Sequence, residues 1–465
     1  MIYLDNNIFI ELRILRDMEG LPVAHISIKN LGPVNQFDMD IKEFCIFTGP
    51  QSNGKSTVAK AIFYFRTVKQ DILNIIMQGG PIKFSGNPSC KWLDIMKQQL
   101  KEKFLQIFGT SWNMPNDMEM HYIYDTKRKY EISITLNEDY QHFGRNFINI
   151  TFSQDFTDYF VELDYKVFTN ISASQKNREA AVLEKLLEDP YETVFIPAGR
   201  NLITLLSEQL NYIFTSLEGS QLRNIDYVTK RYIELILKIK PAFWDGMHGY
   251  FDRAENSIEI SKNIKGRKPA IKLLIKRADA VLKGQYRYVD GEERLYLQNG
   301  KYVKMNFASS GQQETVWVFN LLFYYLMENR RVFLILEEPE SHLYPESQQA
   351  IGEVLGLFKN QNNEVLVTTH SPYLLGTFNY MLLAGQSDKA QEQSVKKILH
   401  KQYWLDAQHV SAYYIRNGGA ESALDSDDVV LIRNELIDKA SDSINDHSDM
   451  LIALSFTEDG SRNYD

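Results

Sequence analysis

Apolar and polar positions alternate through residues 23–48, a pattern that predicts three short strands in succession. The last of these strands runs into a loop that contains Gly49 and Gly54. From Lys55 to Phe65 the apolar positions recur at the spacing of an amphipathic helix. This region therefore predicts a strand, a loop and a helix in direct succession.

The pattern then predicts a helix for Cys90–Phe108 and antiparallel strands with polar connections between residues 120 and 168. From Arg200 to Gly284 the spacing becomes helical, which indicates a helical insertion. Strand-like runs return at residues 285–307, and a long apolar helix and two buried strands follow. We therefore expect an α/β fold with a mixed sheet, an antiparallel β layer and a helical insertion.

The C-terminal region predicts a strand at residues 410–416, then an acidic helix over residues 429–446 and a polar tail. The chain is expected to divide into an N-terminal lobe with the loop and the β layer (1–160), a connecting segment with the helical insertion (161–285), a C-terminal lobe (286–400) and a C-terminal extension (401–465).

Composition excludes several classes of protein. The chain has 465 residues, of which 44% are hydrophobic and 24% charged, which is typical of a globular protein with a large core. Cys45 and Cys90 are too few for a disulfide scaffold or a cysteine-based zinc site. The net charge of −9 disfavours nucleic-acid binding by bulk charge. Since neither a signal peptide nor a membrane segment is recognisable, a cytoplasmic protein without membrane contact is expected.

The strongest chemical signal is a GxxxxGK[ST] loop between a predicted strand and a predicted helix. Its glycines let backbone amides turn toward phosphate groups, Lys55 adds a cation, and the Ser56 hydroxyl suits Mg²⁺. The pattern predicts that ATP and Mg²⁺ bind here. The residues of this phosphate-binding loop are Gly49, Pro50, Gln51, Ser52, Asn53, Gly54, Lys55, Ser56 and Thr57.

Two carboxylates follow the apolar strand at residues 332–336. Such a pair can end a solvated turn, but beside a phosphate-binding loop it is typical of a Walker B strand. One carboxylate then holds Mg²⁺ and the next orients or deprotonates the attacking water. Glu337 is accordingly predicted to bind metal and Glu338 to be catalytic.

Two further segments become candidate site segments because of their positions before and after the carboxylate pair. Ser309–Gln313 precedes a long helix and, taken alone, predicts a serine N-cap. His370 follows a buried strand and, taken alone, is typical of a structural histidine. If the two buried strands are neighbours, however, His370 lies at the same sheet edge as Glu338.

The phosphate-binding loop, SSGQQE, LILEEPESHLYP and VTTHSPYLL occur in this order, which resembles the ABC-type ATPase head of SMC, RecF and overcoming-lysogenization-defect (OLD) family proteins. EEPESHLYP, TTHSPYLL and the IPAGR segment at Ile196–Arg200 are similar to OLD-like ATPases of anti-phage systems, such as the PARIS and Septu ATPases. The likeness covers residues 23–60 and 285–440.

The resemblance implies a dimer of heads that encloses two nucleotides. Ser310 and Gly311 would contact the γ-phosphate bound to the other chain, Glu340–Pro345 would be the D-loop, and His370 would sense the γ-phosphate. Slow turnover is expected, because Ser309, Gln312 and Glu337 stand where ABC transporters usually have Leu, Gly and Asp.

Four other positions have open interpretations. Gln154 is a candidate for the Q-loop glutamine. Arg200 is either an arginine that contacts phosphate or an interface, or a surface residue at the start of a helix. Asp425 and Asp427 match the short metal-binding pair of TOPRIM nucleases, but they also fit an acidic N-cap, which we favour, and no nuclease is expected in this chain.

A basic segment spans Lys262–Arg287, with Asp279 as its acidic residue. Lys268, Lys272 and Lys276 fall on one face of a predicted helix, where they could follow a phosphate backbone, dock an acidic partner or simply be solvated. The basic residues are Lys262, Lys265, Arg267, Lys268, Lys272, Lys276, Arg277, Lys283 and Arg287.

Together the residues and the resemblance predict an ATP-hydrolysing head that forms a dimer or higher oligomer. The resemblance further implies a sensor or scaffold subunit of a prokaryotic anti-phage system that controls a separate effector, expected to be a nuclease. The alternative is a RecF- or SMC-like ATPase of DNA repair that binds DNA directly through the basic segment. A long coiled coil is not expected, since the insertion lacks sustained heptads.

Overall fold

The computed structural model describes residues 24–87, 89–109, 114–136, 148–166, 168, 172–205, 226–425, 429–433, 436 and 445–450. The strands are β1 (Ala24–Leu31), β2 (Val34–Ile41), β3 (Phe44–Thr48), β4 (Glu119–Ile123), β5 (Glu131–Leu136), β6 (Ile148–Phe152), β7 (Glu192–Ile196), β8 (Gln285–Val289), β9 (Glu292–Tyr296), β10 (Tyr302–Lys304), β11 (Val332–Glu337), β12 (Glu364–Thr368), β13 (Val410–Arg416), β14 (Gly419–Ser422), β15 (Leu424–Asp425) and β16 (Leu431–Ile432).

The helices are α1 (Lys55–Arg66), α2 (Val68–Met77), α3 (Pro81–Ser85), α4 (Trp92–Phe108), α5 (Gln154–Asp164), α6 (Ala173–Leu186), α7 (Arg200–Leu205), α8 (Tyr227–Ile239), α9 (Gly246–Asn256), α10 (Ile258–Ile264), α11 (Lys268–Leu282), α12 (Ser310–Met327), α13 (Pro345–Lys359), α14 (Pro372–Gly385) and α15 (Glu392–Ile398). Short 3₁₀ turns occur at Lys240–Phe243, Met305–Phe307, Lys401–Tyr403 and Ala407–His409.

A six-stranded mixed sheet, with the order β14-β13-β3-β12-β11-β7, carries the site. The pairs β7–β11, β11–β12, β12–β3 and β3–β13 are parallel, and β13–β14 is antiparallel. Glu337 is in register with Thr368, and Thr368 with Phe47. The loops that follow β3, β11 and β12 therefore leave the same edge of the sheet, which confirms the α/β class and the mixed sheet.

The two faces of this sheet bury different apolar cores, because side chains alternate along each strand. Phe44, Leu334 and Val365 face one core, which also contains α12, α13 and α14. Cys45 and Phe333 face the other core, which contains α1 and the antiparallel strands. Burial on both faces explains why these strands are continuous apolar runs. Burial also raises the pKa of the Cys45 thiol to about 11, so this cysteine acts as a small apolar side chain.

The predicted antiparallel layer is a five-stranded sheet with the order β2-β1-β4-β5-β6, and a separate three-stranded sheet has the order β10-β9-β8. One strand prediction was wrong: residues 159–164 belong to helix α5. Phe156, Phe160 and Leu163 are buried at helical spacing, so one apolar face of a helix covers the layer. The aromatic and β-branched residues of this run had favoured a strand. The helical insertion is confirmed by α7 to α11 over the residues described.

The acidic helix predicted from residue 429 does not begin there. Leu431 and Ile432 form β16, which pairs with β15, and the Asn379 side chain holds both the amide and the carbonyl of Ile432 at 2.7 and 2.9 Å. These tertiary bonds outweigh local helix propensity. Asp425 is in a strand, so its predicted role as a helix N-cap is wrong; Asp427 lies outside the described residues. No helix of the described chain has both the length and the apolar composition needed to cross a bilayer.

Candidate active site

The phosphate-binding loop is pressed against β13, and this contact explains its first glycine. Gly49 has φ 133°, and a Cβ there would lie 2.2 Å from the carbonyl oxygen of Ile415. The turn after β13 also holds the loop, because the amide of Asn417 donates to Asn53 Oδ1 at 2.8 Å. The amide of Asn35 in β2 donates to Gly418 O at 2.7 Å. The C-terminal region therefore helps to shape the loop.

Gly49→Ala is expected to destabilise the protein, because the left-handed backbone and the clash each cost about 1–3 kcal/mol. Thermal unfolding measures the effect. The control is Gly376→Ala in α14, where a Cβ meets no atom within 4 Å and alanine favours the helix. Equal melting temperatures for the two variants would contradict the proposed packing.

Lys55 is the centre of a short chain of polar contacts. Its Nζ donates to the carbonyls of Gly49 and Pro50 at 2.9 and 2.7 Å, and it lies 3.5 Å from His370 Nδ1. Burial lowers the pKa of Lys55 to about 8, although Glu338 and Glu340 partly offset this by favouring the cation. Lys55 is therefore a cation at neutral pH that loses its charge in mildly alkaline solution.

The affinity for ATP is expected to fall as the pH rises through about 8, by up to about tenfold per pH unit, because the neutral amine no longer attracts phosphate. A fluorescent ATP analogue titrated between about pH 7 and about pH 9.5 measures this dependence. Lys55→Arg, which stays charged throughout, is the control and should show a flat profile. A wild-type profile as flat as that of Lys55→Arg would refute the assignment.

Glu338 and His370 lie together at the sheet edge, as predicted. His370 Nε2 is 3.3 Å from Glu338 Oε1, and the Ser341 hydroxyl donates to Glu338 Oε2 at 3.4 Å. The hydrogen bond from His370 holds the pKa of Glu338 below its usual value despite partial burial. Glu338 is therefore ionised near neutral pH, as a residue that orients or deprotonates water must be.

The neighbouring carboxylate, Glu337, is 5% exposed. Its Oε2 accepts a hydrogen bond from the amide of Ala198 at 3.2 Å, while its Oε1 is buried without a hydrogen-bond partner among the described residues. Burial raises the pKa of Glu337, and the Ser56 hydroxyl and the Ala198 amide partly counteract this. An unsatisfied carboxylate oxygen near a serine hydroxyl fits a divalent cation.

No group of three or more His, Cys, Asp or Glu side chains in the described part of the chain could enclose a metal ion. Mg²⁺ usually keeps several waters and takes few protein ligands beside phosphate oxygens. That Ser56 and Glu337 hold Mg²⁺ stays a prediction.

Glu340 was predicted only as part of the D-loop segment, and the structure gives it a specific position. Its Oε1 accepts hydrogen bonds from the Thr369 hydroxyl and the His370 amide, both at 2.7 Å. Glu340 therefore attaches the segment after β11 to the segment after β12. Only the short spacing from Glu337 and Glu338 could have indicated this role.

The Ser309–Gln313 segment begins α12. Ser309 and Gln312 form a reciprocal capping box, and the Gln312 side chain also donates to Leu282 O at 2.7 Å. These hydrogen bonds are a structural reason for glutamine at position 312, where ABC transporters usually have glycine. Ser310 is exposed at the first turn of the helix. Gly311 is needed because a Cβ would lie 2.8 Å from His342 O.

Both interpretations of Arg200 were wrong. Its side chain is completely buried and donates to backbone carbonyls, of which Glu337 O is at 2.6 Å and Glu338 O at 3.0 Å. It also pairs with the Glu314 carboxylate at 3.1 Å. A buried guanidinium is stable here because these oxygens satisfy its donors. Arg200 thus joins the end of β11 to α12, rather than lying at a surface.

Gln154 does not reach the site. It begins α5, and its amide group donates to Asp158 at 2.8 Å. The preceding strand β6 is at the opposite edge of the five-stranded sheet from β2, and β2 is the strand that touches Gly54. Four strand spacings separate these edges by roughly 19 Å. The prediction of a Q-loop role was therefore wrong.

The basic segment is partly neutralised by residues outside it. Lys268, Lys272 and Lys276 lie along one face of α11, as their spacing predicts. Glu255 is 3.5 Å from Lys268 Nζ and 3.8 Å from Lys272 Nζ, and Glu353 pairs with Arg277. Contact with nucleic acid through this segment stays a prediction.

The match to a family model agrees with a nucleotide site. Residues 23–375 match the family model described as AAA ATPase domain. No curated protein matches the chain. The SMC head domain from Thermotoga maritima is similar at 11% identity, with 86% of this chain and 98% of that chain covered and a TM-score of 0.34. The Smc head domain with an extended coiled coil bound to the C-terminal domain of ScpA, derived from Pyrococcus furiosus, is similar at 12% identity, with coverages of 91% and 98% and a TM-score of 0.34.

Proposed function

The chain belongs to the AAA ATPase domain family, and on this premise we propose that it hydrolyses ATP at the edge of the mixed sheet. The observation that carries the proposal is the convergence of Lys55, His370 and Glu338, with contacts of 3.5 and 3.3 Å between groups that follow three different strands of the mixed sheet. Phosphate release from ATP by the purified protein tests it. A rate of release that is the same in the wild type and in Lys55→Ala would contradict it.

The residues divide the chemistry among them. Amides of the phosphate-binding loop and Lys55 bind the phosphate groups, and Glu338 orients the attacking water and takes its proton. His370, 3.3 Å from Glu338 Oε1, holds that carboxylate in place. Mg²⁺, when bound, neutralises phosphate charge, and Ser56 and Glu337 would hold it.

We further propose that two heads associate when ATP binds, with Ser310 and Gly311 of one chain contacting the γ-phosphate on the other. Exposed aromatic side chains that are close in sequence to Ser310, Glu340 and His370 support this proposal: Phe307, Tyr344 and Tyr373 are 77%, 72% and 57% exposed. Large exposed apolar groups near a site are typical of an interaction surface.

The role in the cell is proposed from the motif resemblance alone: a sensor or scaffold subunit of an anti-phage system that controls a separate nuclease. Tagged Glu338→Gln protein would be recovered from its native host with and without phage challenge, and its partners identified. A stoichiometric nuclease or toxin supports this role. Recombination factors bound together with DNA, and no such effector, would replace it with the DNA-repair alternative.

A further inference from the structure

The short segment from Ala198 to Thr204 connects two parts of the site that the proposed function requires to act together. Arg200 donates to Glu338 O at the end of β11 and to Glu314 O in α12, each at 3.0 Å. Glu314 is one turn from Ser310, the exposed residue at the start of that helix. One buried side chain therefore spans from the backbone carbonyl of Glu338 to α12.

Three other hydrogen bonds connect the same segment to α12 and to the end of β11. The Thr204 hydroxyl donates to Gln313 O at 2.9 Å, and the amide of Asn201 donates to Glu314 Oε1 at 3.2 Å. At the other end, the amide of Ala198 donates to the Glu337 carboxylate. The segment is thus bonded to the first turns of α12, to the Glu337 carboxylate and to the backbone carbonyls of Glu337 and Glu338.

The backbone at Glu338 needs such support. Its φ of 42° is unusual for a residue with a Cβ and persists only when the surroundings fix it. The amide of Glu338 donates to Thr368 O at 2.9 Å, and its carbonyl is the acceptor for Arg200. If Arg200 shifts with α12, the peptide that carries the catalytic carboxylate shifts as well.

We propose that Arg200 is a positioning residue that couples engagement of a second head at Ser310 to the placement of Glu338 for hydrolysis. This inference rests on the proposed function. A head that binds ATP without a partner then holds Glu338 in a less productive position. Contact at the start of α12 is transmitted through Glu314 and Arg200 to the Glu338 carbonyl.

Arg200→Lys tests the coupling, because an ammonium keeps the charge but cannot reach this set of oxygens at once. Expected results are ATP affinity and ATP-dependent dimerisation within about twofold of wild type, and turnover per bound nucleotide reduced on the order of 10²-fold. In Arg200→Lys, turnover per bound nucleotide should also increase less steeply with protein concentration than it does in the wild type. The matched control is Arg66→Lys, which alters another buried arginine, paired with Asp189 at 2.9 Å, and should lower stability without this selective loss.

If Arg200→Lys does not fold, Thr204→Val tests the coupling instead. Valine has nearly the same size as threonine but lacks the hydroxyl that donates to Gln313 O in α12. Turnover per bound nucleotide in Thr204→Val should fall by about three- to tenfold with dimerisation intact. Wild-type turnover per bound nucleotide in the folded variant, or dimerisation lost in proportion to turnover, would overturn the coupling. Absence of ATP hydrolysis by the wild type would instead overturn the proposed function, and hydrolysis that does not depend on protein concentration would overturn the proposed association of heads.

Discussion

Glu338→Gln is expected to slow ATP hydrolysis by about 10²- to 10⁴-fold while ATP binding persists. The amide cannot take a proton from water, but it occupies the same space and keeps an oxygen 3.3 Å from His370. Phosphate release under single-turnover conditions measures the chemical step, and equilibrium titration measures the affinity.

The matched control for this change is Glu346→Gln, an exposed glutamate in the first turn of α13. It should hydrolyse ATP at the wild-type rate. Normal hydrolysis by Glu338→Gln would show that another group activates the water. Loss of ATP binding in Glu338→Gln would show that Glu338 is needed to bind the nucleotide rather than to activate water.

Lys55→Ala is expected to abolish detectable ATP binding at micromolar nucleotide. Each hydrogen bond to a charged group is worth about 1.5–3 kcal/mol, and Lys55 also supplies the cation at the centre of the loop. The remaining loop amides would bind phosphate with an affinity reduced at least about tenfold per lost bond. Lys42→Ala, at an exposed position before β3, is the control, and similar affinities for the two variants would exclude Lys55 from phosphate binding.

Much of the fold and the centre of the site could be predicted because their signals are local. Strands β3, β11 and β12 are continuous apolar runs, and the glycines and Lys55 stand at fixed spacing between a strand and a helix. The mixed sheet and the meeting of Glu338 with His370 follow from parallel neighbours. The family match confirms the prediction of an ATPase domain, whereas the anti-phage role stays a prediction.

The features that were missed depend on long-range contacts. Asn417 is 364 residues from Asn53, and Arg200 is 138 residues from Glu338, so no local pattern indicates either bond. The role predicted for Arg200 was wrong for a physical reason: an arginine is usually exposed, and burial is favourable here only because five oxygen atoms surround its guanidinium. Asn379 likewise fixes Ile432 in a strand against local helix propensity.

The central claim is that ATP joins two heads around the site. The most direct test is the mass of the Glu338→Gln protein in solution with ATP and with ADP, by sedimentation or light scattering. The account predicts a mass about twice the 54.0 kDa of one chain with ATP and no doubling with ADP, and Ser310→Arg should prevent the doubling. A mass of one chain at saturating ATP, with ATP shown to be bound, would contradict the account.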